Sequence, residues 1–253
     1  MKPDRLLQNA GGVGVLLALF GLWAVITKFG WVSPVFLPSV GDTFGALLEQ
    51  AEDGSLASAV MGTGGRMLLG FGFAALVGCG VGLLIGLSPL ARAYIEPSLE
   101  FLRPLPASAV IPVAILLLGL TKTMIISVIV FGSLWPTLLA TIQGIKSVEP
   151  RLFEMARTME LPHWTVIRSI ILPSALPDIF AGLRLALTVS LILAVVTEMM
   201  SAEAGLGAMI LLAARSFRSP ELFAGVLTLG AIGFGINAVM EFAQRHLLRW
   251  RQA

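Results

Sequence analysis

Few side chains in this sequence could carry out chemistry on their own. The single cysteine, Cys79, lies inside an apolar block, which excludes an intrachain disulfide and leaves it without the companions of a metal site. The two histidines, His163 and His246, are far apart, and no Ser/His/Asp arrangement is visible. The Gly-rich run 62–65 lacks a lysine and a following strand, and the phosphate-binding pattern G-x-x-x-x-G-K-[ST] is absent. The sequence therefore predicts no catalytic residue and no metal site, and we interpret 62–65 as a flexible lead into a helix.

Charged and hydroxyl side chains inside apolar blocks are the next candidates. Arg184 and Glu198 share one block but are fourteen residues apart, about 21 Å along a helix, so they cannot pair within it. Ionisable residues at membrane depth are functional candidates by default, although positions near the end of a span weaken that inference. Between them, Thr188 and Ser190 could hydrate a polar solute or hold one helix against the next.

The composition indicates that the apolar blocks are membrane-spanning. Hydrophobic residues make up 57% of the chain and charged residues 13%, against about 25% charged in a typical soluble domain. The net charge of +2 gives no argument for a nucleic-acid partner. We expect the first apolar block to be a retained span rather than a cleaved signal peptide, because no small-residue cleavage site follows it and further spans do. Six blocks suit membrane-spanning helices: 12–30, 66–87, 106–120, 123–143, 179–200 and 221–243.

Basic residues orient this predicted bundle. The segments 88–105 and 144–178 and the tail after the sixth span carry most of the Lys and Arg, whereas 31–65 carries acidic residues alone. By the positive-inside rule, both termini are then cytoplasmic. The outer exceptions are Lys122, Arg215 and Arg218. We expect one transmembrane domain over 1–253, surrounded by membrane lipid, with a cytoplasmic loop at about 144–178.

Small residues and prolines mark two helix contacts. In the second span, small residues recur every fourth position and form a ridge that should face another helix rather than lipid: Gly70, Ala74, Gly78, Gly82 and Gly86. This ridge suits a gating contact or static packing, within one chain or between two copies. The prolines from Pro104 to Pro112 predict either a broken helix that lines a pathway or a simple helix start. The candidate pathway residues are Ser108, Pro112, Thr188, Ser190 and Glu198.

The predicted cytoplasmic loop between the fourth and fifth spans contains two helix patterns. Its first part predicts a short helix with one apolar face, by the helical spacing of Leu152, Met155, Ala156 and Met159. After a turn near Pro162, a second amphipathic helix is predicted from Val166, Ile167, Ile170 and Ile171. Two such helices could lie on the membrane or dock into a groove of a partner.

This loop resembles the EAA loop of bacterial binding-protein-dependent ABC permeases. The pattern of that loop is matched by Glu154, Ala156 and the run Ile170-Ile171-Leu172-Pro173. It differs at two positions: Met155 replaces the first of the two alanines, and Glu160 replaces the usual glycine. Since that glycine often serves a turn with positive φ, we expect Leu161-Pro162 to shape the turn differently here.

Further motifs extend the resemblance over nearly the whole chain, to the nitrate, sulfonate, taurine and bicarbonate branch of these permeases. In chain order they are Phe36-Leu37-Pro38-Ser39, Arg103 to Pro112, Pro173 to Pro177 with Ala181 to Arg184, Glu198-Met199 with Gly205-Leu206-Gly207, and Leu248-Arg249-Trp250. The chain departs from the branch at 118–121, where Leu-Gly-Leu-Thr replaces the usual FGIG. Each motif is weak alone, but together and in order they identify the chain as a member.

The resemblance implies an all-α, polytopic bundle of six spans, like a type I ABC importer permease, in the bacterial inner membrane. It implies two ATPase subunits, a second permease copy in a homodimer, and a periplasmic or lipid-anchored solute-binding protein. This chain would be no enzyme and would bind no cofactor, since the partner ATPase would hold ATP and Mg. The residues expected to contact the ATPase are Glu154, Ala156, Arg157, Met159, Glu160, Leu161, Pro162 and His163.

Two other functions stay open at this point. A stand-alone secondary transporter or channel would need coupling or selectivity groups near the midplane of the membrane, and this chain is poor in them. A membrane scaffold without a transport role would not need the elaborate cytoplasmic loop. The sequence does not identify the solute; the branch implies a small anion such as nitrate, a sulfonate, taurine or bicarbonate.

Overall fold

Helices make up the regular structure of this protein. The computed structural model describes residues 3–102, 104–201 and 203–248, and in these ranges it contains α-helices and one π-helical turn but no strand. The all-α prediction is therefore confirmed for the described chain. The elements are α1 (Pro3–Lys28), α2 (Val40–Glu52), α3 (Ser55–Leu87), α4 (Pro89–Leu102), α5 (Ala107–Leu118), α6 (Lys122–Lys146), α7 (Pro150–Thr158), α8 (His163–Val166), the π turn (Ile167–Ile171), α9 (Leu172–Met200), α10 (Leu206–Arg215) and α11 (Ser219–Leu247).

Four of the predicted spans coincide with helices long and apolar enough to cross a membrane: α3, α6, α11 and the continuous run His163–Met200. The predicted span 106–120 is the short α5, which has sufficient length and hydropathy only together with α4. The two helices are bent by 88° at their junction, so they form a broken span or a re-entrant pair. The predicted span 12–30 falls on α1, of which Gly14–Lys28 is a shorter apolar helix.

The prolines account for the broken third span. Pro106 is the N-terminal cap residue of α5, with φ −67° and ψ 124°, so the backbone is extended directly before the helix begins. Proline has no N–H group and disfavours helical geometry in the residue before it, which separates α4 from α5. The prolines thus lie at the start of α5, after a sharp bend from α4, and whether this bend lines a pathway stays a prediction.

The ridge of small residues on α3 packs directly against α6 of the same chain. A Cβ atom at Gly70 would lie 2.4 Å from the Cγ2 atom of Ile129, and one at Gly82 would lie 2.7 Å from the Cβ atom of Thr141. Ala74, between them, has no exposed surface. The ridge therefore brings two helix backbones of one subunit together and lies inside the chain rather than between two copies.

The other face of α6 packs equally closely against α9. A Cβ atom at Gly132 would lie 2.2 Å from the Cδ1 atom of Leu193, and one at Gly182 would lie 2.8 Å from the carbonyl oxygen of Pro136. The buried hydroxyls of Ser133 and Ser190 are 2.7 Å apart and satisfy each other. The helices α3, α6 and α9 thus form a tight core around which the other elements are arranged.

The segment after α1 is fixed by polar contacts. The Ser39 hydroxyl accepts the backbone N–H of Asp42 at 3.0 Å and caps the N-terminus of α2. The indole N–H of Trp23 donates to the carbonyl of Pro38 at 2.9 Å, and the Ser219 hydroxyl donates to the carbonyl of Val35. The Phe-Leu-Pro-Ser motif therefore joins α1, α2 and the start of α11.

Large apolar side chains remain exposed on the peripheral helices, which accounts for the high share of hydrophobic residues in the chain. Examples are Leu116 at 84% and Leu117 at 74% on α5, and Phe234 at 78% and Phe242 at 73% on α11. Such continuous apolar surface is unfavourable in water and suits lipid or another membrane subunit.

We predict that Gly82→Ala lowers the thermal stability of the detergent-solubilised protein. The added methyl group would lie 2.7 Å from the Cβ atom of Thr141 and 3.0 Å from the backbone oxygen of Leu138. Overpacking of this kind costs about 1–3 kcal/mol. The matched control is Gly80→Ala on the same helix, where no atom lies within 4 Å of the new Cβ. Equal melting temperatures for both variants would contradict the packing described.

Candidate functional site

The helix α7 presents two different surfaces. Ala156 is buried at 3% exposure, and Leu152 and Phe153 pack beside it against Ile145 and Ile171. The opposite side carries Glu154 and Arg157, which are exposed, together with Met155 at 46% and Met159 at 62% exposure. The predicted apolar face is thus split: part of it attaches α7 to α6 and α9, and its methionines point away.

The turn that ends α7 depends on Glu160. This residue has φ 50°, in the left-handed region that normally favours glycine. Its N–H donates to the carbonyl of Arg157 at 3.1 Å, and the N–H of Leu161 donates to the carbonyl of Ala156 at 3.0 Å. These two bonds define a Schellman motif, and Leu161 packs in the same apolar cluster as Ala156.

The expectation that Leu161-Pro162 replaces the positive-φ position is therefore wrong. The backbone keeps the left-handed residue at 160 although the side chain there is a glutamate, because the Schellman bonds require it. Pro162 has a separate function, since its extended backbone begins α8.

The second amphipathic helix is not separated from the fifth span. α8, the π turn and α9 form one continuous run of 38 residues, His163–Met200. The N–H of Leu172 donates to the carbonyl of Ile167, five residues back, which is the π pattern. This widened turn lies directly before Pro173, a residue that lacks an N–H group and would crowd the carbonyl four residues before it. The prolines therefore modify the helix rather than interrupt it.

The predicted contact residues lie close together at this end of the chain. Ala156 is inside, Leu161 is half-buried, and the others are exposed: Glu154, Arg157, Met159, Glu160, Pro162 and His163. A groove of about 750 Å³ lies between α7, α8 and the end of α3, and five of the predicted contact residues line it: Ala156, Arg157, Glu160, Leu161 and His163.

The candidate pathway residues do not form one site in this chain. Ser108, Pro112 and Thr188 are exposed, on α5 and α9. Ser190 is buried against α6 through Ser133, as described above, and Glu198 is buried in an ion pair. Their part in transport stays a prediction.

The partner of Glu198 is Arg66, which lies where the predicted second span begins. The side chain of Glu198 has 0% exposure. Its Oε1 atom accepts the Nε and Nη2 groups of Arg66 at 3.0 and 2.5 Å, and its Oε2 atom accepts the hydroxyl of Thr63 at 2.8 Å and the N–H of Gly207 at 3.0 Å. Each carboxylate oxygen thus has two donors, which compensates for the loss of water.

Glycines make this network possible. A Cβ atom at Gly205 would lie 2.4 Å from the Glu198 carboxylate carbon, and one at Gly207 would lie 2.2 Å from the carbonyl oxygen of Val195. The run 62–65 belongs to α3, so its interpretation as a flexible lead is wrong. The sequence did contain a signal for this site. Arg66 and Glu198 are charges of opposite sign near the same end of two predicted spans, and the Gly-Leu-Gly motif 205–207 follows Glu198 closely.

Comparison with solved structures identifies the fold. The chain superposes with a TM-score of 0.64 on a structure described as inward-facing conformations of the MetNI methionine ABC transporter, covering 77% of this chain and 94% of that one at 18% identity. A structure of an amino acid ABC transporter gives a TM-score of 0.63, also at 18% identity, over 80% of this chain and 97% of that one. At these identities the likeness concerns the fold alone, which is that of type I ABC importer permeases.

The family follows from the sequence comparison. The model of the family described as "binding-protein-dependent transport system inner membrane component" matches residues 70–252, and the chain belongs to this family. A Bacillus subtilis permease protein assigned to aliphatic sulfonate transport is 34% identical over all of this chain and 92% of its own length. The taurine transport system permease protein of Escherichia coli is 30% identical over 94% of this chain and 88% of its own length. The bicarbonate transport system permease protein of Synechococcus elongatus is 30% identical over 73% and 66%.

The chain is therefore a membrane-spanning permease subunit of an ABC importer, in the inner membrane. It is the non-enzymatic component, and ATP is hydrolysed by a separate subunit. Permeases of this family operate with an ATPase and a solute-binding protein. The alternative of a stand-alone transporter or channel is not favoured.

We predict that Glu160→Gly leaves the protein at least as stable, whereas Glu160→Val destabilises the loop. Glycine accepts φ 50° freely, but a β-branched residue in the left-handed region is strained, at a cost of about 1–2 kcal/mol. Protease cleavage within 150–166 measures the effect. Arg151→Val, which adds the same side chain on the exposed surface of α7, is the control and should be cleaved no faster than wild type. Equal cleavage of all variants would contradict the turn geometry.

Proposed function

We propose that the segment 149–173 is the surface through which the partner ATPase drives this permease. The observation that carries the proposal is the division of α7 into an attached side and a free side. Ala156, Leu152 and Phe153 join the helix to α6 and α9, while Glu154 and Met159 are left for a partner.

The chemistry of the free side suits a protein groove. Two exposed methionines offer adaptable apolar contact, which is common at such surfaces. Glu154 and Glu160 offer carboxylates to basic groups of the ATPase, and Arg157 offers a cation of the opposite sign. Charges at the rim contribute less to affinity than charges buried in an interface, whose truncation costs about 2–5 kcal/mol. The position of α7, set by its turn and its apolar attachment, is therefore the stronger determinant of coupling.

The chain is proposed to bind no cofactor, with ATP and Mg held by the ATPase. Support comes from the sequence, which has no phosphate-binding motif. Among the described residues, no group of three or more potential metal ligands occurs.

We propose that the transported solute is a small anion, of the sulfonate, taurine, bicarbonate or nitrate class. The support is the set of relatives, which includes permeases for sulfonates, taurine and bicarbonate. Ser108, Pro112 and Thr188 lie on exposed faces and are available to line a path. A thermal-shift screen of the partner binding protein against these anions tests the class, and a response to uncharged solutes alone would contradict it.

Both termini are proposed to be cytoplasmic, with α7 on the same side and α2 outside. The support is the excess of Lys and Arg in the segments assigned to the inside. In a Cys79→Ser background, Leu48→Cys should react with an impermeant thiol reagent in intact cells, and Met159→Cys should react only after permeabilisation. Labelling of position 159 from outside would contradict this orientation.

Two copies of this chain are proposed to form the permease, with two ATPase subunits. Arg184 supports the proposal, since its side chain is exposed on the apolar helix α9, where its Nε donates to the side-chain oxygen of Asn237 at 2.9 Å. A charge facing lipid is costly, which favours a second subunit or an aqueous path beside it. Native mass spectrometry of the assembled complex should show two identical permease copies; one copy beside a different permease would contradict the homodimer.

We predict that Met159→Asp, and likewise Glu154→Lys, leaves the protein inserted but uncoupled. Aspartate replaces the apolar contact, and lysine reverses the charge offered to the ATPase. ATP hydrolysis by the reconstituted complex should then no longer respond to the loaded binding protein. Glu100→Lys makes the same charge reversal on exposed α4 and should leave stimulation intact. Full stimulation of both loop variants in an intact complex would show that the coupling surface lies elsewhere.

A further inference from the structure

The ion pair between Arg66 and Glu198 lies at the end of the bundle opposite to the coupling segment. The run His163–Met200 has 38 residues, so it is about 57 Å long at 1.5 Å per residue. The Schellman turn at Glu160 precedes its first residue, and Glu198 is two residues from its last. One continuous helical run therefore connects the proposed ATPase contact with the ion pair.

The ion pair also determines where the short helix α10 begins. The N–H of Gly207 donates to the Glu198 carboxylate on α9, and the N–H of Leu206 donates to the hydroxyl of Thr63 on α3 at 2.9 Å. The guanidinium of Arg66 donates in addition to the carbonyl of Ala204 at 2.6 Å. The first free N–H groups of α10 are thus bound by side chains of two other helices, and a negative charge at this terminus is favourable.

The network continues to the surface. The Nη1 atom of Arg66 lies 4.0 Å from Oε2 of Glu203, and that oxygen is 3.8 Å from Nζ of Lys122 at the start of α6. The side chain of Glu203 is 25% exposed and that of Lys122 is 70% exposed. A protein bound to this end would thus contact groups directly continuous with the buried pair.

We propose that Arg66 and Glu198 are positioning residues that hold α10 against the first half of α3 and the end of α9. Movement of the coupling segment is then transmitted along α9 to α10, and contact by a binding protein at the outer end is transmitted inwards along the same helix. This inference rests on the proposed function of 149–173. A buried ion pair contributes little net stability compared with apolar residues of similar size, and in some proteins such groups specify geometry instead, which is the role proposed here.

The experiment compares single variants with the double variant in reconstituted complexes. Glu198→Gln and Arg66→Gln each leave one buried charged or polar group without its partner and should lower the melting temperature. Arg66→Met combined with Glu198→Met removes both charges at similar volume, so it should assemble and be less destabilised than either single variant, although the Thr63 hydroxyl and the Gly207 N–H lose their acceptor. In the assembled complex of this variant, stimulation of ATP hydrolysis by the loaded binding protein should fall at least about fivefold, the lower end of typical coupling factors. Wild-type stimulation in the double variant would overturn the proposal and leave the pair a packing feature only.

A second variant tests this positioning role without altering charge. Gly205→Ala places a methyl group 2.4 Å from the Glu198 carboxylate and 2.5 Å from Nη2 of Arg66, so the network must shift. It should lower stimulation in the same way, whereas Gly64→Ala, with no atom within 4 Å of the new Cβ, should not. Full stimulation in an assembled Gly205→Ala complex also overturns the proposal. A wild-type complex that ignores the binding protein would contradict the importer function instead.

Discussion

The close approach of α3, α6 and α9 is the constraint on which the rest of this structure depends. In lipid, apolar side chains gain little by leaving their surroundings, so helix association relies on tight packing and on hydrogen bonds between helices. Small residues provide that packing on both sides of α6, with Gly70 and Gly82 on one side and Gly132 and Gly182 on the other. The buried hydroxyls of Ser133 and Ser190 add a polar contact. This packing of the three helices defines how the two functional ends of the bundle are connected.

The end of the bundle that carries α7 is attached to that core. α7 is too short to be stable alone, since isolated helices below about 12–15 residues are marginal in water. Its order comes from Ala156 and its apolar neighbours, which pack against α6 and α9. The Schellman turn then returns the chain into α9 through the π turn. An element that is rigidly attached on one side and free on the other suits the transfer of force from a partner.

The sequence predicted the elements better than their connections. Long apolar blocks located the spans, and the prolines before Ala107 located the break, because both signals are local. The backbone conformation of Glu160 could not be predicted from the local sequence, because a glutamate does not indicate a positive φ. The Schellman hydrogen bonds accepted by the carbonyls of Ala156 and Arg157 define that conformation. The role of Arg66 could not be predicted for a similar reason. Its position in the sequence suggested the edge of a span, while its contact with Glu198 joins residues 132 positions apart and is visible only in three dimensions.

Amide hydrogen exchange on the reconstituted complex tests the central claim most directly, namely that the ATPase acts on this chain through α7. Exchange would be followed by mass spectrometry with and without the ATPase subunits. The account predicts that the ATPase slows exchange at 150–166 and leaves α4, at 89–102, unchanged. Slowed exchange at 89–102 with none at 150–166 would contradict it.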